Sequence, residues 1–427
     1  MGTGVAGVLL LAGCGNSTNP DVNNTGSASS DKVVVDVFNI KVETRDQMER
    51  LVAQYESLHP EVEINVQTIG GGADSCAALQ ARFAAGEAPS IWMIGGLAEL
   101  ELWQDHLLDI SNTKAASQAI EGTLDGATLN GVQYGLPFNI EGFAWLYNKD
   151  VFERAGINVE DIKSYADFEQ MVAKLDSEKE RLGLDAVFAF SGAEDWVWGQ
   201  YSSHFTSVAY DNDVFAVANA QDIDWGVAES FMKGYTDLIR DYGFSPVITV
   251  DYSMAIEDLF VNDRVAMTHQ GNWVVPTLDG INPSFANEKL GILPFFIENN
   301  GSRGTIAAGP SWFWAVNSQK EEAVIQASID FLDWMYTSEE GMYALINDFG
   351  FIPAYYGNNI EDITDPVSKQ IYEMLEGGEV TPWIHNSYPA GFSSNTMAPE
   401  FQRYVAGQSS WDDFIEISQG AWQQARR

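Results

Sequence analysis

The sequence predicts an α/β protein, and two features carry that prediction. From residue 33 to residue 94 the chain reads strand, helix, strand, helix, strand. That alternation implies a parallel sheet with right-handed crossovers. Roughly 395 residues follow the polar N-terminal stretch, and 45% of the chain is hydrophobic, enough for two domains of ordinary size.

The elements follow in order. Residues 4–11 form a short apolar run, and Leu11-Ala12-Gly13-Cys14 closes it. The run is far shorter than the ~20 residues of a membrane span, so it reads as a processing segment. The order resembles a bacterial lipoprotein signal (residues 1–13), with Cys14 as the lipidated residue. No Lys or Arg precedes the run. Residues 15–31 are Asn, Ser, Thr, Gly, Asp and Pro with one Val, too polar to offset their ordering entropy. They read, within 14–32, as a disordered tether with ends on the order of 20–25 Å apart. The expected location is therefore the outer face of the cell membrane, held by a lipid anchor only.

Residues 33–40 read as a buried strand. Thr44 with Gln47 reads as a capping box, opening a helix that places Met48, Leu51, Val52, Tyr55 and Leu58 on one face. Val62, Ile64 and Val66 alternate in a second strand. Gly70-Gly71-Gly72 reads as a loop, Ser75 starts a helix to about residue 85, and residues 90–94 form a third strand. Asn130-Gly131 is a two-residue hairpin signal. Strands are also expected at 143–147, 186–191, 265–268 and 313–317. Gly156 ends a short helix, and Ser164 opens another. Further helices are expected over 225–241, 254–262 and 319–335. Trp196 and Trp198 read as part of a polar, Gly-containing loop.

The net charge is −39, from 61 acidic against 22 basic residues. Such a surface repels nucleic acid and anionic headgroups, so neither is expected as a ligand. Two Cys and five His give no metal-site spacing. Neither a metal nor another cofactor is expected, and with Cys14 lipidated no disulfide is expected. The glycine run lacks the phosphate-loop pattern. Acid pairs of the kind used in glycoside hydrolysis remain open, because 61 acids permit many. Aromatic residues in loops (Trp196, Trp198, Trp273, Trp312, Trp383, Tyr388) suit the C–H faces of sugars, whose hydroxyls need Asp, Glu, Asn or Arg partners.

Several segments then resemble one family. These are Tyr55-x-x-x-His59-Pro60-Glu61-Val62, Ala85-Gly86-Glu87-Ala88-Pro89-Ser90-Ile91 and Asn130-Gly131-x-x-Tyr134-Gly135-Leu136-Pro137. The most specific is Leu146-Tyr147-Asn148-Lys149-Asp150-x-Phe152-x-x-Ala155-Gly156, and Val265-Ala266-Met267 with Gly271-x-Trp273 follows. In this order they resemble family 1 extracellular solute-binding proteins, the sugar-capturing components of ABC importers related to maltose-binding protein.

The resemblance implies a two-lobe periplasmic-binding-protein-like fold of type II. The ligand cleft lies between the lobes, with three chain crossings near 138–141, 308–310 and 348–351. The implied lobes are 33–140 with 310–347, and 141–309 with 348–427. Ligands of open α/β sheets sit beyond the carboxyl ends of strands, which points to the same loops. By position, the implied ligand-binding residues are Asn39, Lys41, Glu43, Gly72, Asp74, Gly95, Gly96, Asn139 and Glu141 on the first side. Trp196, Trp198, Asn272, Trp273, Ser311, Trp312, Trp383 and Tyr388 complete the set. Many relatives carry a polar or acidic residue where this chain has Gly95-Gly96. The implied function is capture of a neutral oligosaccharide by a monomer that passes it to transmembrane permease subunits, without catalysis. A surface-attached glycoside hydrolase and a binder of a cationic peptide or polyamine are the alternatives.

Overall fold

The computed structural model describes residues 32–69, 75–297, 304–357 and 360–427. The leader, Cys14, the tether, Gly72 and Asp74 lie outside the described residues.

Eleven of the described strands form two sheets. In chain order they are β1 Val33–Asn39, β2 Val62–Thr68, β3 Ile91–Ile94, β4 Leu136–Pro137, β5 Ile140–Asn148, β6 Ala186–Phe188, β7 Val265–Gly271, β8 Leu290–Leu293, β9 Ile306–Pro310, β10 Phe313–Val316 and β11 Val380–Thr381. The first sheet has the order β2-β1-β3-β10-β4. Its first three strands are parallel, with Val33 opposite Val62 and Val37 opposite Ile91. β10 then runs antiparallel to both β3 and β4. The second sheet has the order β11-β9-β5-β7-β6, with β8 also on β5. It is mixed, because β5 runs antiparallel to β7, β8 and β9. The parallel arrangement expected of the first three strands is present, and in the second sheet β6 with β7 and β9 with β11 are also parallel.

The chain leaves the first sheet at Pro137 and enters the second at Ile140; it leaves at Pro310 and re-enters the first at Phe313. Ile352 bridges back to Ile140. β5 is buried along its whole length, so no polar face marks it in the sequence. Gly142 within it is required by packing, since a Cβ there would lie 2.6 Å from Ile371 Cγ2.

Local signals explain many boundaries. Asn148 caps the helix Lys149–Ala155, and Gly156, at φ 62°, ends it. Ser164 caps Tyr165–Ser177 by accepting from Asp167 N. Asn130 and Gly131 both take positive φ, as a two-residue hairpin turn requires.

Other expectations are corrected. Thr44 makes no cap hydrogen bond. A 3-10 turn, Val42–Thr44, precedes helix α1 (Arg45–Leu58) and leaves the Thr44 hydroxyl buried without a partner among the described residues. Leu58 is 53% exposed, off the buried face of Met48, Leu51, Val52 and Tyr55. Residues Met254–Phe260 wind as a π-helix, where an ordinary helix was expected. Helix α2 (Ser75–Ala85) is present as expected, and α3 (Leu97–Trp103) follows β3.

The largest correction concerns Trp196 and Trp198, which belong to helix α4 (Asp195–Ala209) rather than a loop. Residues 197–207 of α4 are all buried, and many are Ser, Thr, His and Gln. A helix surrounded by protein needs no apolar stripe, so the periodic signal is absent.

Candidate binding site at the junction of the lobes

The site begins at the end of β1. Asn39 accepts from Lys41 N at 3.1 Å, while its amide donates to Thr68 Oγ1 at the end of β2. This pins the chain so that Lys41 reaches across to β5. Its Nζ lies 2.7 and 3.0 Å from the two oxygens of Glu141 and 3.4 Å from Glu43. Burial lowers the Lys41 pKa, but the two carboxylates outweigh burial and hold it above its ordinary value. Asn139 donates to Glu141 Oε1 at 3.2 Å, and Ser311 donates to Asn139 at 3.4 Å. The structure therefore joins Asn39, Lys41, Glu43, Asn139, Glu141 and Ser311 into one network. Glu141 is an ion-pair partner there, not an open acceptor.

The opposite wall of the first lobe is built on Gly95 and Gly96, just past β3. A Cβ on Gly95 would lie 3.3 Å from both Glu99 Oε1 and Trp312 Cζ3. A Cβ on Gly96 would lie 3.0 Å from Asn386 Cβ of the second lobe, and φ here is 142°. The glycines thus make room where the lobes approach. Glu99 was not a sequence candidate. It sits in the first turn of α3, four residues past Gly95, and its carboxyl is pushed up to about 7 by burial, against a hydrogen bond from the Gly95 backbone. That spacing was the available signal.

The second lobe contributes indoles. Trp196 lies 6.2 Å from Trp273, and Trp273 lies 5.9 Å from Trp383, centroid to centroid. Trp383 packs edge-on against Phe143 at 4.8 Å. Each indole is pinned differently. Asn272 accepts from Gly142 N and donates to Ser368 Oγ, which fixes the turn before Trp273. Trp273 donates to Gln270 Oε1 at 2.9 Å. Trp383 donates to the Glu141 carbonyl at 3.2 Å, which ties the indole series to the ion pair. Trp196 is 40% exposed.

Two candidates leave the set. Trp198 is fully buried, stacked on Phe401 at 4.9 Å and bonded to the Gly192 carbonyl. Tyr388 is buried, and its hydroxyl meets Ser202 and Thr206. Both are core residues.

The lobes meet on both flanks of this site. The turn Val42–Thr44 packs on the helix Val275–Ile281, and α3 packs on the turn Ile384–Ser387. Two open surface grooves, one lined by Glu229, Asp412 and Glu416 and the other by Asp195, Gln402 and Arg403, include none of the site residues. Among the described residues no group of three His, Cys, Asp or Glu could hold a metal ion. No helix of the described residues is long and apolar enough to cross a membrane.

Two sheets joined by short links, with an indole series and a polar network at their junction, give the two-lobed architecture of a solute-binding protein. The chain belongs to the bacterial extracellular solute-binding proteins, whose family profile matches residues 50–364. It is 25% identical over 257 residues to an uncharacterized ABC transporter extracellular-binding protein of Pyrococcus horikoshii; that alignment spans 58% of this chain and 57% of the relative. It is 24% identical to the maltodextrin-binding protein MdxE of Bacillus subtilis over 81% of this chain and 77% of that one. Among solved structures, a chitin oligosaccharide binding protein shares the fold at TM-score 0.77 and 21% identity, over 93% of this chain and 99% of the other.

Proposed function

We propose that this protein captures a neutral oligosaccharide of about two to four units between its lobes, each indole face covering one C–H face of a ring. It then delivers the sugar to the transmembrane permease of an ABC importer. The observation that carries the reading is the series Trp196, Trp273 and Trp383 on one lobe with Trp312 beside Gly95 on the other. Lys41 is already faced by two carboxylates, so among the described residues this network offers no open cation to a uronic acid or phosphate. The sugar-binding names among the relatives support the same class of ligand.

In this reading residues 33–140 with 310–347 close against 141–309 with 348–427. The protein acts as a monomer, and a lipid on Cys14 holds it to the outer face of the membrane. Gly72 and Asp74 belong to the candidate ligand contacts. Isothermal titration of the purified protein with maltotriose, raffinose and chitotriose tests the ligand class. Small-angle scattering at saturation tests closure, with the radius of gyration expected to fall. A sugar recovered shortened after incubation would instead mark a hydrolase.

A further inference from the structure

Gln200 stands one helical turn beyond Trp196 on α4, so the two side chains leave the same face. Trp196 is exposed beside Trp273. Gln200 is 8% exposed, and its Oε1 is buried with no hydrogen-bond partner among the described residues. The face continues through Ser203 and Ser207, whose hydroxyls both approach the Pro382 carbonyl, at 3.5 and 3.4 Å. This seam of α4 therefore runs along the turn that carries Trp383. His385, in the same turn, lies 5.6 Å from Trp383 between ring centroids, and a Cβ on Gly199 would come within 3.9 Å of its Cδ2. The His385 Nδ1 is likewise buried with no partner.

Of the unsatisfied polar atoms around α4, those of Gln200 and His385 flank neighbouring positions of the helix, at the inner end of the indole series. Native proteins keep few such atoms, because each bears its full desolvation penalty. A ligand that brings hydroxyl groups accounts for both. Behind them, His204 and His269 meet through their Nε2 atoms at 3.2 Å, and their Nδ1 atoms too find no partner among the described residues, but both rings are fully buried while His385 is only partly buried.

We propose that Gln200 and His385 form a polar subsite at the inner end of the cleft, where one ring of a neutral sugar is recognised through its hydroxyls. One hydroxyl donates to Gln200 Oε1, and a second meets the His385 ring nitrogen. The subsite rests on the sugar-binding reading and sharpens it. Neither α4 nor the turn Ile384–Ser387 carries an Arg or Lys of its own, and the guanidinium that reaches the turn, Arg426, is engaged by the Ser387 carbonyl at 3.1 Å and by the face of Trp422. Burial pushes the His385 imidazole down to about 3, which keeps it neutral at pH 7 and able to serve as donor or acceptor.

The test uses calorimetry on the full chain with maltotriose, raffinose and chitotriose. The sugar bound most tightly is then titrated as a series of single-position deoxy analogues. Gln200→Met and His385→Phe are each expected to weaken binding about tenfold, with melting temperatures near that of the wild type. One deoxy analogue is expected to lose affinity for the wild type but not for Gln200→Met, the signature of a coupled pair. If Gln200→Met does not melt cooperatively, Gln200→Asn replaces it. Equal sugar binding by wild type and both variants overturns the subsite and leaves the sugar-binding reading standing. Absence of binding by all three sugars to the wild type overturns both.

Discussion

Lys41 and Glu141 tie the two lobes together: an ammonium at the end of the first strand meets, at 2.7 Å, a carboxylate in the central strand of the second sheet. Both side chains are nearly buried, with relative exposures of 10% and 3%. Breaking such a pair leaves one charge uncompensated away from water. Lys41→Met is therefore expected to lower unfolding stability by about 3–5 kcal/mol in urea titrations, and Lys41→Met with Glu141→Gln by much less. Equal losses in the single and double variants would show that the Glu141 charge is not what Lys41 holds in place.

Glu99 gives the site a pH dependence. Its carboxyl, raised to about 7 by burial, binds a proton in the folded state that the unfolded chain has already released. The stability this contributes is fully present below the ordinary carboxylate pKa, near 4.5, and is lost as pH rises through about 7. Glu99→Gln is expected to match the wild type near pH 4 and to exceed it by roughly 3 kcal/mol above pH 8. Melting curves from pH 4 to 9 check this; a difference that does not change with pH would overturn it.

Indoles of the site and indoles of the core are expected to separate on mutation. Trp273→Ala and Trp312→Ala should each cost ~1–3 kcal/mol of sugar affinity, scaled from base–aromatic stacking. Trp198→Phe, in the packed core against Phe401, should lower the melting temperature and leave affinity unchanged. Calorimetry beside thermal melts distinguishes the two patterns.

Anchoring is expected to depend on Cys14. Cys14→Ala should release the protein into the medium or block processing of the leader, read by fractionating cells. Membrane retention equal to the wild type would remove the lipid anchor from the proposal.

Signals confined to neighbouring residues were legible in the chain. Gly156, Ser164 and Asn130-Gly131 each satisfy local backbone groups or set a local φ, and each stands where its pattern placed it. The alternation of β2 and the buried face of α1 depend only on which side meets the core. Tertiary structure alone decided the rest. Whether Glu141 accepts from a ligand or from Lys41 depends on a side chain one hundred positions away. Whether an aromatic near the site is a wall or core depends on what surrounds it: Trp196 and Trp198 are two residues apart, yet a helix turns one outward and buries the other. Glu99 matters only because Gly95 has no side chain to fill the space beside Trp312. Sequence patterns record how each segment divides between water and interior. Which groups meet across the junction is a property of the packed lobes, where burial and distance set the strength of every charge and hydrogen bond.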